Sequence, residues 1–318
     1  MAIDINITGQ YKINGVAIGG LPAWVETNAT DLTLWNNGKG NVVSNTSFGD
    51  GALKSNTTGA QNTAYGLNAL STVTTGSGNL GVGWGAGKLL TGSSNTAVGN
   101  FALEFMAAGV NENTAIGQQA LRQLNDGTSF RNVAVGSGSI GNAVIQVESV
   151  AVGTWSILSN SGGGYNTAIG KSALQNGGAS TYNTIVGWSS GDAITTGTQN
   201  TSVGANALGA TTTGADNTAI GNSAGSSNTT GIRNIFIGNL SGAGNTTGAS
   251  NTVIGNDTNT GNFSSCVIIG RGATATANNQ FVVGSAGVNA GTVTTESFSS
   301  TKTWSVIING AAYKILLA

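Results

Sequence analysis

One short pattern of polar and apolar residues recurs along most of the chain, and Asn217-Thr218-Ala219-Ile220-Gly221 is a representative copy. We number its five residues positions 1 to 5. Fifteen copies are present, and they end at Gly49, Gly66, Gly83, Gly99, Gly117, Gly136, Gly153, Gly170, Gly187, Gly204, Gly221, Gly238, Gly255, Gly270 and Gly284. Most successive glycines are 17 residues apart. A period this short, held for most of the chain, predicts a solenoid rather than a set of globular domains.

The motif itself predicts a very short strand. Successive strand side chains point to opposite faces, so positions 2 and 4 share one face and position 3 lies on the other. Position 4 is always sizeable and apolar, and we expect it, as Ile220, to fill the inside of each coil. Position 3 is usually small, and we expect it, as Ala219, to face another copy of the chain. Asparagine at position 1 predicts a hydrogen-bonded ladder, and glycine at position 5 predicts a corner with positive φ.

A second apolar pair follows the glycine by three to four residues, as at Ala173-Leu174 and Ala207-Leu208, and turn residues such as Thr213-Gly214 come next. Each unit is therefore predicted to be two short strands and two corners, which make one coil of a parallel β-solenoid. A core one or two residues wide is thin against an ordering entropy of about 1–2 kcal/mol per residue. This balance favours a homotrimer that shares its burial.

Residues 1–44 precede the repeats and are predicted to form a small β module that caps the array or attaches it to a partner. Asn14-Gly15 lies between alternating apolar runs, which is the strongest short signal for a β-hairpin. A further strand is predicted over residues 32–35.

Residues 45–288 are the repeat array, and residues 289–318 end the periodicity. Asn309-Gly310 predicts a second hairpin in this last segment, whose strands are more hydrophobic than any coil. We expect it to be buried as a C-terminal cap.

Composition narrows the function classes. Charged residues make up 7% of the chain and the net charge is −1, with no basic stripe. Binding to nucleic acid through charge and insertion into a membrane are therefore not expected. Collagen is excluded, because glycine is not at every third position and only 1 proline is present. The single cysteine, Cys266, occupies position 1 and is predicted to be a small buried residue. No secretion signal is evident, so synthesis in a host cytoplasm is expected.

The Asn-Thr-Ala-Ile-Gly repeat resembles the head repeats of trimeric autotransporter adhesins, and it is similar to a repeat in the fibre proteins of tailed bacteriophages. The resemblance covers residues 45–288, and it implies a left-handed parallel β-roll in a homotrimer. The period of mostly 17 residues is longer than the usual adhesin coil. The two Asn-Gly hairpins look like terminal modules of phage fibres, whereas an adhesin would carry a signal peptide, a coiled-coil stalk and a membrane β-barrel.

Residues suited to catalysis are scarce. The chain has no histidine, which removes the His-dependent triads and metal sites. Its twelve acids fall at scattered repeat positions, whereas a glycosidase needs a carboxylate pair. No catalytic, cofactor or metal site is therefore expected. An antifreeze solenoid would need a flat outward grid of threonines, and the expected sharing of a face with the core side chain counts against it.

Two sets of residues are candidates for surface binding. Trp84, Trp155 and Trp188 follow the position-5 glycine by one or two residues and either stack on sugar rings or pack between chains. The longer coils between residues 101 and 130 contain the second set, which is Phe105, Arg122 and Phe130. These coils form a binding knob or merely cover their own apolar residues.

The sequence thus predicts a non-enzymatic structural fibre of a phage virion, either a tail fibre or a head fibre. It would be a homotrimer, joined at one terminus to capsid or tail proteins, and it would contact a host surface glycan. The alternatives are the head of a bacterial surface adhesin and a polysaccharide-degrading β-helix.

Overall fold

A computed structural model describes residues 3–5, 10–13, 16–20, 42, 44–106, 109–124, 130–143, 147–284, 303–308 and 311–316. Within these residues the chain is all β, and it is dominated by one fifteen-stranded parallel sheet. Each copy of the motif contributes one strand, and the strands stack in chain order. The repeat array is therefore a parallel β-solenoid, as the period predicts.

The strands of the solenoid sheet are three residues long and cover positions 2 to 4 of the motif. They are β4 Thr46–Phe48, β5 Thr63–Tyr65, β6 Leu80–Val82, β7 Thr96–Val98, β9 Thr114–Ile116, β11 Val133–Val135, β13 Val150–Val152, β14 Thr167–Ile169, β15 Thr184–Val186, β16 Thr201–Val203, β17 Thr218–Ile220, β18 Ile235–Ile237, β19 Thr252–Ile254, β20 Val267–Ile269 and β21 Phe281–Val283. Equivalent positions are paired between neighbours, as Ser202 is with Ala219 and Ala219 with Phe236. Every repeat position thus forms a straight row along the rod.

The core lies on the position-3 side of this sheet, so the predicted assignment of the two faces is wrong. Ala219 is 0% exposed, whereas Ile220 is 42% exposed. Position 3 is small because side chains from the corner turns fill the narrow interior. At Gly81, for example, an added Cβ would lie 2.7 Å from Cγ of Leu70.

Large residues at position 3 are accommodated by glycines in the turns. Phe236 is fully buried. A Cβ at Gly225 or Gly242 would lie 2.5 Å or 2.2 Å from its ring. Ile185 stands in the same relation to Gly191, where an added Cβ would lie 3.1 Å from Cδ1 of Ile185. The interior therefore keeps a nearly constant volume from coil to coil, as close packing requires.

The second apolar pair is a turn and not the strand that the sequence predicts. Leu208 has a φ of +50° and is fully buried, and its amide donates to the carbonyl of Ala224 in the next coil at 3.0 Å. A left-handed leucine costs about 1–3 kcal/mol, and burying its side chain offsets about 1.5–3 kcal/mol. Among the described residues, second strands occur only in three longer coils, as β8 Phe105–Met106, β10 Gln123–Leu124 and β12 Asn142–Ala143.

The asparagine ladder at position 1 is confirmed. Oδ1 of Asn200 accepts hydrogen bonds from the backbone N–H and from Nδ2 of Asn217, both at 3.1 Å. Nδ2 of Asn217 also donates to the carbonyl of Gly231 at 2.9 Å. Ser149 continues the row with its hydroxyl, and Cys266 is fully buried in it, as predicted. The ladder holds the turn to the sheet in a region that water does not reach.

Glycine at position 5 has the positive φ that the sequence predicts. Gly221 has a φ of +136°, and an added Cβ would lie 2.5 Å from the carbonyl oxygen of Gly238. Both the backbone angle and the close approach of the next coil therefore require glycine there.

The ends of the chain contain short antiparallel strands. At the N-terminal end, β1 Ile3–Ile5, β2 Gln10–Ile13 and β3 Val16–Gly20 form one sheet. At the C-terminal end, β22 Thr303–Ile308 pairs with β23 Ala311–Leu316. Ile13 faces Val16 and Ile308 faces Ala311, which is the register of the two predicted hairpins. The Asn-Gly residues and the predicted strand at 32–35 lie outside the described residues, and the roles of both ends stay predictions.

Candidate functional site

The exposed face of the solenoid sheet is the largest unusual surface in the described part of the chain. Its apolar residues at position 4 are exposed or half-buried in every strand, and they are Phe48, Tyr65, Val82, Val98, Ile116, Val135, Val152, Ile169, Val186, Val203, Ile220, Ile237, Ile254, Ile269 and Val283. In the first two strands the rings of Phe48 and Tyr65 stack, with centroids 5.0 Å apart and an interplanar angle of 13°. A continuous apolar row therefore runs the length of the rod.

A row of threonines lies beside it on the same outward face. Position 2 is threonine in nine of the fifteen strands, at Thr46, Thr63, Thr96, Thr114, Thr167, Thr184, Thr201, Thr218 and Thr252. Because position 4 points outward, these threonines do not share a face with the core. The reason given above against an antifreeze surface is therefore wrong. Six strands carry an apolar residue at position 2, so the threonine grid is interrupted.

The sheet face has two edges that differ in chemistry. We call the residue before the asparagine position 0, and we call the row of position-0 residues the leading edge. Tyr165 and Tyr182 are exposed there, with their rings stacked at a centroid distance of 4.9 Å and an interplanar angle of 7°. Since both backbones have positive φ at this position, the side chains project from a sharp bend.

A charge ladder precedes the tyrosines on the leading edge. Arg131 donates from Nε to Glu112 at 3.0 Å and from Nη1 to Glu148 at 2.8 Å, so three consecutive coils are joined. The hydrogen bond to Glu112 is the main cause of a raised pKa of Arg131, and the charges of Glu112 and Glu148 act in the same direction. Exposed ion pairs of this kind contribute little to stability, but they leave this stretch with one net negative charge.

The trailing edge consists of positions 6 and 7, after the glycine, and carries the three predicted tryptophans. Trp84 is 51% exposed and lies 4.6 Å, centroid to centroid, from Phe101 of the next coil. Trp155 is 46% exposed, with Nζ of Lys171 located 5.8 Å from its ring centroid. Trp188 is 59% exposed. The prediction that these side chains are at the surface is confirmed, whereas what they bind stays a prediction.

The predicted residues of the longer coils fall into two separate contacts. Arg122 lies 5.4 Å from the ring centroid of Phe105 and donates to the buried carboxylate of Glu104 at 3.0 Å. Phe130 lies instead beneath Arg131, at 4.8 Å. Arg122 therefore satisfies a buried charge in its own chain, and the half-buried Phe105 covers it. A binding role for this set stays a prediction.

Sequence reasoning missed the leading edge and Lys171. The spacing of 17 residues between Tyr165 and Tyr182 was the available signal, because residues one period apart stack in a solenoid. Within the described ranges, no cluster of three or more histidine, cysteine, aspartate or glutamate side chains is placed to hold a metal ion. The same part of the chain has no helix long and apolar enough to cross a bilayer.

The class of protein that the coordinates define is a parallel β-solenoid. Comparison with known protein families, curated proteins and solved structures finds no match to this chain.

Proposed function

We propose that this chain forms the shaft of a homotrimeric, non-enzymatic fibre on the particle of a tailed bacteriophage. The three copies would lie parallel, with their sheet faces turned toward a common axis. One observation carries the proposal, namely the unbroken apolar row at position 4 on a flat exposed sheet.

The size of the face supports association. Three residues of strand by fifteen strands measure about 10 Å by about 70 Å, or roughly 700 Å². The largest apolar patch on a typical monomer is about 300–600 Å², and a standard protein interface buries about 800 Å² per partner. A face of this extent on a chain with only 7% charged residues favours burial against further copies of itself.

The assignment to a virion rests on the resemblance of the repeat and of the Asn-Gly hairpins to phage fibres. A bacterial adhesin head would use the same trimer, so the face does not separate the two. A polysaccharide-degrading β-helix would need a pair of carboxylates in a groove. In the described residues, Glu112 and Glu148 instead bond the same arginine on an exposed edge. The fibre would be made in the host cytoplasm, be anchored at one terminus to capsid or tail proteins, and present its tip to a host glycan.

Immunogold electron microscopy of intact particles tests this assignment. Antibodies against residues 45–284 should label projections from the capsid or tail, and tags at residues 1 and 318 should label opposite ends of the same projection. Label on bacterial cell surfaces and none on particles would overturn the assignment to a virion in favour of the adhesin.

Ice binding is a second candidate, and the outward threonine row favours it. Thr167, Thr184, Thr201 and Thr218 stack in register on consecutive strands, which gives a flat and regular array. The apolar residues at position 2 in six strands make the array less regular than a crystal surface demands, so we rank it below the fibre. Thermal hysteresis in a solution of the monomeric chain would support this candidate, and its absence would exclude it.

A further inference from the structure

The two edges of the sheet carry matching groups at the same coils. Strand β13 lies between Glu148 on the leading edge and Trp155 on the trailing edge. Strand β14 lies between Tyr165 and Lys171, and strand β15 lies between Tyr182 and Trp188. These three strands are consecutive neighbours in the sheet.

This coincidence is confined to one part of the rod. In the coils of β16 to β19 the leading edge has Gln199, Asp216, Arg233 and Ser250, and position 6 has Ala205, Asn222, Asn239 and Asn256. In the coils of β6 and β7, bulky Trp84 and Phe101 on the trailing edge accompany only Gly78 and Ser94 on the leading edge. Aromatic side chains are therefore opposed at β13 to β15, and large residues accompany small ones at β6 and β7. Both arrangements suit contact between one edge and the other.

Symmetry gives this correspondence a meaning. In a closed ring of parallel copies, the leading edge of each copy meets the trailing edge of the next at the same height. Residues flanking the same strand in one chain would then face each other between two chains. An external ligand that bound one edge would give no reason for both edges to be aromatic at the same three coils.

We propose that Trp155, Lys171 and Trp188 of one copy pack against Glu148, Tyr165 and Tyr182 of the next copy. This inference rests on the proposed homotrimer and adds to it the surface that fixes the register. The flat sheet face is nearly the same at every coil, so copies could slide along it by one coil. The aromatic and charged edge contacts occur at one height only, and they select the aligned arrangement.

The chemistry of the two edges is complementary. The tyrosine rings are stacked and exposed, and they offer ring edges and hydroxyls to the indole of Trp188. Lys171 carries a positive charge above Trp155, whereas the Glu112, Arg131 and Glu148 ladder has a net negative charge. Lys171 and Glu148 flank neighbouring strands, which are about 4.8 Å apart, so an ammonium on a flexible stem can reach the carboxylate.

Disulfide trapping in the full chain tests the contact. The background variant is Cys266→Ser, since Ser149 already occupies the same repeat position. Into it we would place Tyr165→Cys together with Lys171→Cys, which lie on opposite sides of strand β14 and cannot pair within one chain. The matched control keeps Lys171→Cys and adds Ser250→Cys, an exposed position-0 residue five strands away, or about 24 Å.

After mild oxidation, the test pair should shift in a denaturing, non-reducing gel from one chain to a covalent trimer, and reductant should return it to 31.4 kDa. The control pair should stay at one chain. Solution mass before oxidation separates the two proposals. A trimer that gives no trapped species, or that traps the control pair equally, overturns the edge contact and leaves the trimer standing. A single-chain mass contradicts both.

Discussion

Asn200 and Asn217 form a buried link between consecutive coils, in which one side-chain oxygen accepts two hydrogen bonds of 3.1 Å from its neighbour. Repetition of this link gives the solenoid an internal polar spine beside its apolar core. Removing a side chain from the spine leaves buried partners unsatisfied, which costs about 1–3 kcal/mol.

Asn217→Ala should therefore lower the free energy of unfolding by about 1–3 kcal/mol, because it frees Oδ1 of Asn200 and the carbonyl of Gly231. Urea denaturation followed by circular dichroism measures the change. Asn222→Ala, at the exposed position 6, is the matched control and should change it by less than about 0.5 kcal/mol. Equal losses in both variants would mean that the spine adds no special stability.

Ala219→Leu should destabilise the chain by about 1–3 kcal/mol, since the interior next to Phe236 and Leu208 has no room for added methylenes. Ile220→Leu, one residue away on the exposed face, should be close to neutral in the isolated chain. The reverse order of the two effects in thermal unfolding would show that position 4 lines the core after all.

Gly221→Ala should cost more than about 1–3 kcal/mol, because an alanine there combines an unfavourable φ of +136° with a contact 2.5 Å from the carbonyl of Gly238. Gly162→Ala is its control. An added Cβ at Gly162 meets only the Cβ of Ala179 at 3.9 Å, and its φ is not in the left-handed region. Unchanged unfolding midpoints for both variants would contradict the role assigned to the corner glycine.

Asp192→Asn should stabilise the chain at neutral pH. Partial burial raises the pKa of the Asp192 carboxyl above its ordinary value of 3.8, although backbone amide hydrogen bonds from Asp192 and Ala193 oppose the shift. A raised pKa in the folded state means that the carboxyl's stabilising contribution is full below its ordinary pKa and is lost as the pH rises through the folded-state pKa.

The stability difference between Asp192→Asn and the parent chain should therefore grow between pH 3 and pH 7. Thermal melts across this range measure it, with the exposed Asp216→Asn as the control. A gain that is the same at both ends of the range would show that burial of the charge is not its cause.

Much of the architecture could be predicted from the sequence, because it depends on spacing. The 17-residue period, the strand at positions 2 to 4, the ladder through Asn217 and the corner at Gly221 all follow from where residue types recur. The orientation of the strand could not be predicted from alternation, which defines two faces without saying which is inside. Leu208 decides it, because its left-handed turn directs a large side chain inward and leaves room only for Ala219.

The candidate surfaces were predictable only in part. The tryptophans stand out by composition, and their exposure follows from their place after the corner glycine. The pairing of the two edges depends on which residues share a strand, and so on the register that the folded sheet establishes. Lys171 and Tyr165 gain their interest only when both are seen beside β14.

The mass of the full chain in solution tests the central claim most directly, since the proposed function requires the exposed sheet face to be covered by further copies. Sedimentation equilibrium at micromolar concentration should give three times the chain mass of 31.4 kDa. A double variant, Ile169→Asp with Ile220→Asp, should give one chain with unchanged circular dichroism. A parent chain that sediments as a soluble, folded monomer would contradict the account.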